Sequence, residues 1–87
     1  MAVRQRSVPP YSWKDFSRFV DVAPVEQGWL VIWGRYHEQG SRRVLAGNRT
    51  YVSIPGARRR VADAVLELTH DPALVEEALT QFDRTTF

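Results

Sequence analysis

Between Gly28 and Tyr36 the chain reads Gly-Trp-Leu-Val-Ile-Trp-Gly-Arg-Tyr, its densest apolar segment. A strand alternates its side chains between two faces. Trp29, Val31, Trp33 and Arg35 therefore share one face, and Leu30, Ile32, Gly34 and Tyr36 the other. Both faces are largely apolar, so a strand here calls for cover on two sides.

The flanking patterns predict what supplies that cover. Ser12 offers an N-cap with Asp15 three residues on, a variant of the capping box. Trp13, Phe16, Phe19 and Val20 follow at helical spacing, which predicts a short helix over Ser12 to Val20 with one apolar face. Asp21 to Gln27, which contains Pro24, reads as a loop. After the first strand, His37 to Ser41 is a polar connection suited to a hairpin, and a second strand runs through Arg43-Val44-Leu45-Ala46. Gly47-Asn48 favours a tight turn because both residues tolerate positive φ, so a third strand is expected from Arg49 to Ile54. The competing reading is one long second strand with Gly47 at a bulge; the three-stranded meander is preferred.

Two helices close the chain. Pro55 stands at a helix start with Ser53 or Ile54 as cap. Ala57, Val61, Ala64, Val65 and Leu68 form a stripe ending near Thr69. Asp71-Pro72 restarts the pattern as N-cap and first helical residue, and Leu74, Val75, Ala78, Leu79 and Phe82 make the second stripe. The expected architecture is a small single α+β domain over residues 11–87. It has a short N-terminal helix, a three-stranded antiparallel meander and two C-terminal α-helices on one sheet face. The Trp13 helix or a second subunit would take the other face. Residues 1–10, with Arg4, Arg6 and Pro9-Pro10, read as a flexible basic arm.

Size and charge sharpen this. A chain of 87 residues makes one domain with a thin core, so self-association is a natural supplement. The net charge of +2 conceals a polarity. Residues 1–60 carry eleven basic side chains against four acidic, a net +7, and residues 61–87 carry one against six, a net −5. Such asymmetry marks either a polyanion-binding half or two surfaces that neutralise each other. No cysteine is present, which removes disulfides, thiolate metal sites and cysteine nucleophiles. No signal-peptide core and no bilayer-length apolar run is seen, so the expected location is cytoplasmic, without a membrane partner.

Arg58-Arg59-Arg60 falls in the first turn of the second expected helix, the one ending near Thr69, where the dipole disfavours cations. Exposed backbone N–H groups and three guanidinium groups would together suit a phosphate or carboxylate. The plainer reading pairs Arg59 and Arg60 with Asp63 and leaves Arg58 solvated. Arg42 and Arg43, with Arg35 and Arg49, could align across the meander among Tyr36 and Tyr51. Basic residues interleaved with aromatics are the pattern of single-strand nucleic-acid binders, but arginines also guard sheet edges. The anion or nucleic-acid candidates are thus Arg42, Arg43, Arg49, Arg58, Arg59 and Arg60. Trp13, Phe16, Trp29, Trp33, Tyr36 and Tyr51 are the interface candidates, set against a simple role in the core.

Catalysis has little to stand on. His37 and His70 have no motif partner, and no metal-ligand spacing, phosphate loop or nucleophile elbow occurs. The sequence supports a non-catalytic protein-interaction module without cofactor, metal or small-molecule substrate. Self-association or a protein partner is expected. Nucleic-acid or polyanion binding is the alternative, disfavoured by the acidity of residues 61–87.

Overall fold

The computed structural model of the chain describes residues 10–37 and 43–87. Four strands come first, β1 (Tyr11–Asp15), β2 (Arg18–Val25), β3 (Gly28–Tyr36) and β4 (Arg43–Tyr51). Two helices follow, α1 (Ile54–Thr69) and α2 (Pro72–Asp83). The strands form one antiparallel sheet in the order β1-β2-β3-β4, and both helices pack on the same face of it.

The expected helix over Ser12 to Val20 is instead a hairpin. Its register runs from Tyr11 opposite Val22 to Asp15 opposite Arg18, which leaves Phe16-Ser17 as a two-residue turn. The apolar spacing that imitates a helix has another origin. Tyr11 and Trp13 alternate on β1, Val20 and Val22 alternate on β2, and Phe16 sits at the turn between them with φ 53°. The helix-facing residues Tyr11, Trp13, Val20 and Val22 are all buried, whereas a helix would have placed Phe16 with them and it is 89% exposed.

The expected loop Asp21 to Gln27 is largely the rest of β2, and only Glu26-Gln27 turns the chain. Pro24 is tolerated because β1 stops flanking β2 at Val22, so its missing N–H breaks no ladder on that side.

The expected turn at Gly47-Asn48 is likewise absent. One strand runs from Arg43 to Tyr51, so the sheet has four strands rather than three. Trp33 pairs with Gly47 and Gly34 with Leu45, which leaves Ala46 as the extra residue of a bulge. The long-strand alternative is thus the one realised, with the bulge one residue earlier than Gly47. Gly47 is needed for a different reason. Its α-carbon lies under the indole of Trp33, and a β-carbon there would stand 2.6 Å from Cζ2.

The helices follow the local signals. Ser53 caps α1, its Oγ accepting from the Gly56 N–H at 3.2 Å, and His70 ends it in the left-handed conformation. Asp71 caps α2 by accepting from the Ala73 N–H. Ala57, Val61, Ala64, Val65 and Leu68 of α1 and Ala78 and Phe82 of α2 close over Tyr11, Trp13, Val20, Val22 and Val31. Each large aliphatic side chain buried this way contributes about 1.5–3 kcal/mol. The Tyr11 hydroxyl donates to the Ala78 carbonyl at 2.9 Å and ties β1 to α2. At the other end of the core, Arg18 reaches the Leu68 carbonyl at 3.2 Å and Arg35 reaches it at 3.5 Å. Those cations face the negative end of the α1 dipole, where they are favourable.

The expected arm over 1–10 lies, except for Pro10, outside the described residues, as does most of the expected loop over 37–41.

Candidate functional site: the open face of the sheet

Alternation puts one set of strand side chains under the helices and leaves the other set with no layer above it among the described residues. The open set is Ser12 and Lys14 on β1, Phe19, Asp21, Ala23 and Val25 on β2, and Leu30, Ile32, Gly34 and Tyr36 on β3, continued on β4 by Arg43, Leu45, Asn48 and Thr50. The second apolar face of the central strand is therefore left uncovered by any element of the described chain.

One end of this face covers itself. Phe19 is fully buried although no helix lies over it. It packs beside Tyr36, ring centres 5.2 Å apart, above Gly34, the residue paired with it on β3. The guanidinium carbon of Arg43 lies 4.0 Å from the Phe19 ring centre, and the Lys14 amine lies 4.4 Å from that of Tyr36. Arg43 also donates to Asp21 Oδ2 at 2.7 Å, while the Ser12 hydroxyl donates to Oδ1 at 2.7 Å. Asp21 is thus a nearly buried carboxylate whose two oxygens are both satisfied. The cation that satisfies one of them also roofs the aromatic pair.

The other end stays open. Ala23, Leu30 and Ile32, each half-buried, and the exposed Val25 form an apolar patch, and Leu45, 53% exposed, extends it beside Gly34 into the row of Phe19. Polar groups rim it, with Ser12, Lys14 and Arg43 towards the roofed end and Asn48 and Thr50 along β4. An apolar centre inside a polar rim is the anatomy of a protein interface.

The arginine candidates do not come together. Arg42 lies outside the described residues. Arg43 belongs to the open face, whereas Arg35 and Arg49 are on the helix side, so the proposed alignment across the meander does not form; simple alternation separates Arg35 from Arg43, and the bulge separates Arg49 from it. Tyr36 and Tyr51 are on opposite faces for the same reason. In the triplet, Arg58 makes two hydrogen bonds to Asp83 of α2, at 2.8 and 2.9 Å. That guanidinium holds the Asp83 carboxyl below the usual carboxylate range. Arg60 lies 4.3 Å from the Trp33 ring centre and donates to Glu67 at 2.7 Å. Arg58, expected to be solvated, is thus ion-paired, and Arg60 takes Glu67 rather than Asp63, the partner expected from helical spacing. Arg59 is exposed and has no ion pair among the described residues, and Arg49 lies 5.8 Å from the Tyr51 ring centre.

The interface candidates divide similarly. Trp13 is core, and Trp29, Trp33 and Tyr51 pack against the core from the helix side. Phe16 projects from the turn, and Tyr36 alone reaches the open face. Sequence reasoning missed Lys14 and Phe19, because the helix expected over 12–20 placed them on the wrong element, and Asp21, because it was assigned to the loop over 21–27 rather than to β2. The signal for them was Ser12 and Lys14 alternating with Tyr11 and Trp13.

No group of acidic or histidine side chains among the described residues could hold a metal ion, and no described helix is long and apolar enough to cross a membrane. A shallow depression of about 250 Å³ lies between the start of α1 and the end of α2, lined by Ile54, Arg58, Phe82 and Phe87 among others. Its charged groups, Arg58 and Asp83, satisfy each other. The chain matches no protein-family model, no curated protein and no solved structure.

Proposed function

We propose that this protein is a non-catalytic protein-interaction module that docks partners on the open face of its sheet. The observation that carries the reading is the patch of Ala23, Val25, Leu30, Ile32 and Leu45, which no described element covers although the opposite face carries two helices. Burying such a patch is favourable at about 25 cal/mol per Å² of apolar surface, and polar groups around it supply orientation. The engagement of the arginines favours this reading over nucleic-acid binding. A polyanion site needs convergent free cations, and Arg43, Arg58 and Arg60 are each paired with a carboxylate.

The test is quantitative co-purification of the tagged chain beside its Leu30→Lys and Ile32→Asp variants, with folding checked by circular dichroism. A stoichiometric protein partner, a second copy included, is expected with the native chain and lost with both variants. Recovery indifferent to both substitutions overturns the reading. So does binding to nucleic acid that falls steeply with salt while no protein partner is found.

A further inference from the structure

The two edges of the sheet are poor docking sites, and the reason bears on what the open face receives. Strand β1 is five residues long and is preceded by Pro10, which has no N–H to offer a neighbour. Strand β4 is longer, but its bulge puts its two halves out of phase. Arg43 and Leu45 point to the open side, whereas Gly47, Arg49 and Tyr51 point to the helix side. A regular strand added along β4 would match the pleat of one half and oppose that of the other. A bulge is a standard protection of an edge. Growth of the sheet sideways is therefore discouraged, and stacking on its face is not.

From the open face and its charges we infer that the occupant is a second copy of this chain, stacked face to face with strands running in opposite directions across a two-fold axis. The inference rests on the interaction reading above and names its partner.

Area is the first support. Four strands at about 4.8 Å spacing and up to nine residues at about 3.3 Å rise present a face of roughly 19 by 30 Å. Two such faces bury on the order of 1,000 Å² together, the threshold for a specific interface.

Charge is the second, and it selects the orientation. Two cations of the face lie on the outer strands at one end, on either side of Phe19 and Tyr36: Arg43, already paired with Asp21, and Lys14, which has no carboxylate partner among the described residues. The exposed acid Glu26 stands at the opposite end, in the turn between β2 and β3. Stacked sheets keep their strands within about 30° of one another. If the strands ran in the same direction, Lys14 would face Arg43 or its own image. With the copies reversed, Glu26 of each copy comes down between Lys14 and Arg43 of the other. Leu30 and Ile32 then lie beside the axis, midway between the charged ends, so the apolar patch is centred and the charges form the rim. A like-charge arrangement would be disfavoured, and the complementary one sets the register.

The sequence supplies an unusually clean probe, because Lys14 is the only lysine. Lys14 pairs with Phe19, and Glu26 lies seven residues further along β2 and its turn, about 20 Å away at the rise of a strand. A zero-length carbodiimide link between Lys14 and Glu26 therefore cannot form within one copy. The experiment uses the full chain as an equal mixture of light and nitrogen-15-labelled protein. It reads the mass by sedimentation equilibrium and the linked peptides by mass spectrometry. Twice the chain mass is expected, with a Lys14–Glu26 link in which half of the linked pairs carry one light and one heavy peptide. Ile32→Asp should return the mass to that of one chain. Lys14→Glu and Glu26→Lys, which leave the core untouched, should each weaken association about three- to fivefold, and their combination in one chain should restore it. Three results overturn the inference. They are a monomer at every concentration, a dimer indifferent to Ile32→Asp, and a dimer without the Lys14–Glu26 link whose affinity the charge reversals do not change. A monomer that still loses a different protein partner with Ile32→Asp would overturn only the second copy and leave the interaction reading standing.

Discussion

Arg43 lies flat enough over Phe19 for its guanidinium carbon to sit 4.0 Å from the ring centre, and the same group binds Asp21 at 2.7 Å. One side chain thus solves two problems created by a single-layer sheet. An aromatic ring is kept from water, and a nearly buried carboxylate is kept from being unpaired. Replacing Arg43 by alanine undoes both. The expected loss is about 2 kcal/mol, mostly the cost of leaving Asp21 with Ser12 alone. For a domain of this size that lowers the melting temperature by roughly 8–15 °C. Lysine keeps the charge without the planar stack and should recover part of the loss. Thermal unfolding at fixed protein concentration measures this, and a shift under about 2 °C would show the roof to be dispensable.

Two glycines on the β3–β4 ladder should differ sharply when changed to alanine. At Gly47 a new β-carbon meets the Trp33 ring, a side chain that can tilt if Arg60 moves with it. At Gly34 it would stand 2.3 Å from the Val44 carbonyl oxygen, which is backbone. Gly47→Ala should cost about 1–3 kcal/mol with the sheet intact. Gly34→Ala should cost more and loosen the pairing on either side of the bulge. Urea denaturation gives the energies, and amide exchange at Val44 and Leu45 separates the two cases.

Tyr11 is expected to give the fold an alkaline limit. Burial first, and then the nearby charges of Asp21 and Glu77, push its phenol above its ordinary value of 10.0. Above that value the unfolded chain loses the phenolic proton while the folded chain keeps it, so stability falls as pH rises past about 10. Tyr11→Phe should remove this tyrosine's share of the decline. At neutral pH it should cost about 1 kcal/mol for the lost bond to the Ala78 carbonyl. Denaturation curves at pH 7 and above pH 10 give the comparison. A parallel decline in native and variant chains would contradict it.

Phe16 holds φ at 53° while almost wholly exposed, so the turn carries a left-handed residue with nothing packed in return. Such a conformation costs a non-glycine residue roughly 1–2 kcal/mol. Phe16→Asn should therefore raise stability by about 0.5–1 kcal/mol with the hairpin register unchanged. An unchanged or lower melting temperature would mean that the Phe16 ring contributes to the fold after all.

The same turn explains much of what could and could not be read beforehand. Glycine or asparagine marks most two-residue turns, but Phe16-Ser17 contains neither, and without that mark a hairpin with apolar residues on both arms resembles a short helix. Gly47 misled in the opposite sense. It looks like a turn residue, but it is there because Trp33 covers it. The open-face site was legible only in outline. The two apolar faces of the central strand were plain, and so was the need for cover on both. The role of Asp21 and Phe19 was hidden, because their partners Arg43 and Gly34 are distant in sequence.

What the sequence determined by itself is what rests on neighbours along the chain. Ser53 with Pro55, and Asp71 with Pro72, set both helix starts, because a cap and its N–H lie within three residues of each other. The alternation from Trp29 to Tyr36 assigned every side chain of β3 to its face, because a strand allows only two. Tertiary structure decided the rest. The first hairpin, the phase change at Ala46 and the separation of Arg58, Arg59 and Arg60 depend on contacts between residues far apart in the chain. Whether the second face of the central strand is covered depends on which elements can reach it. The segment expected to cover that face joined the sheet instead and left it open.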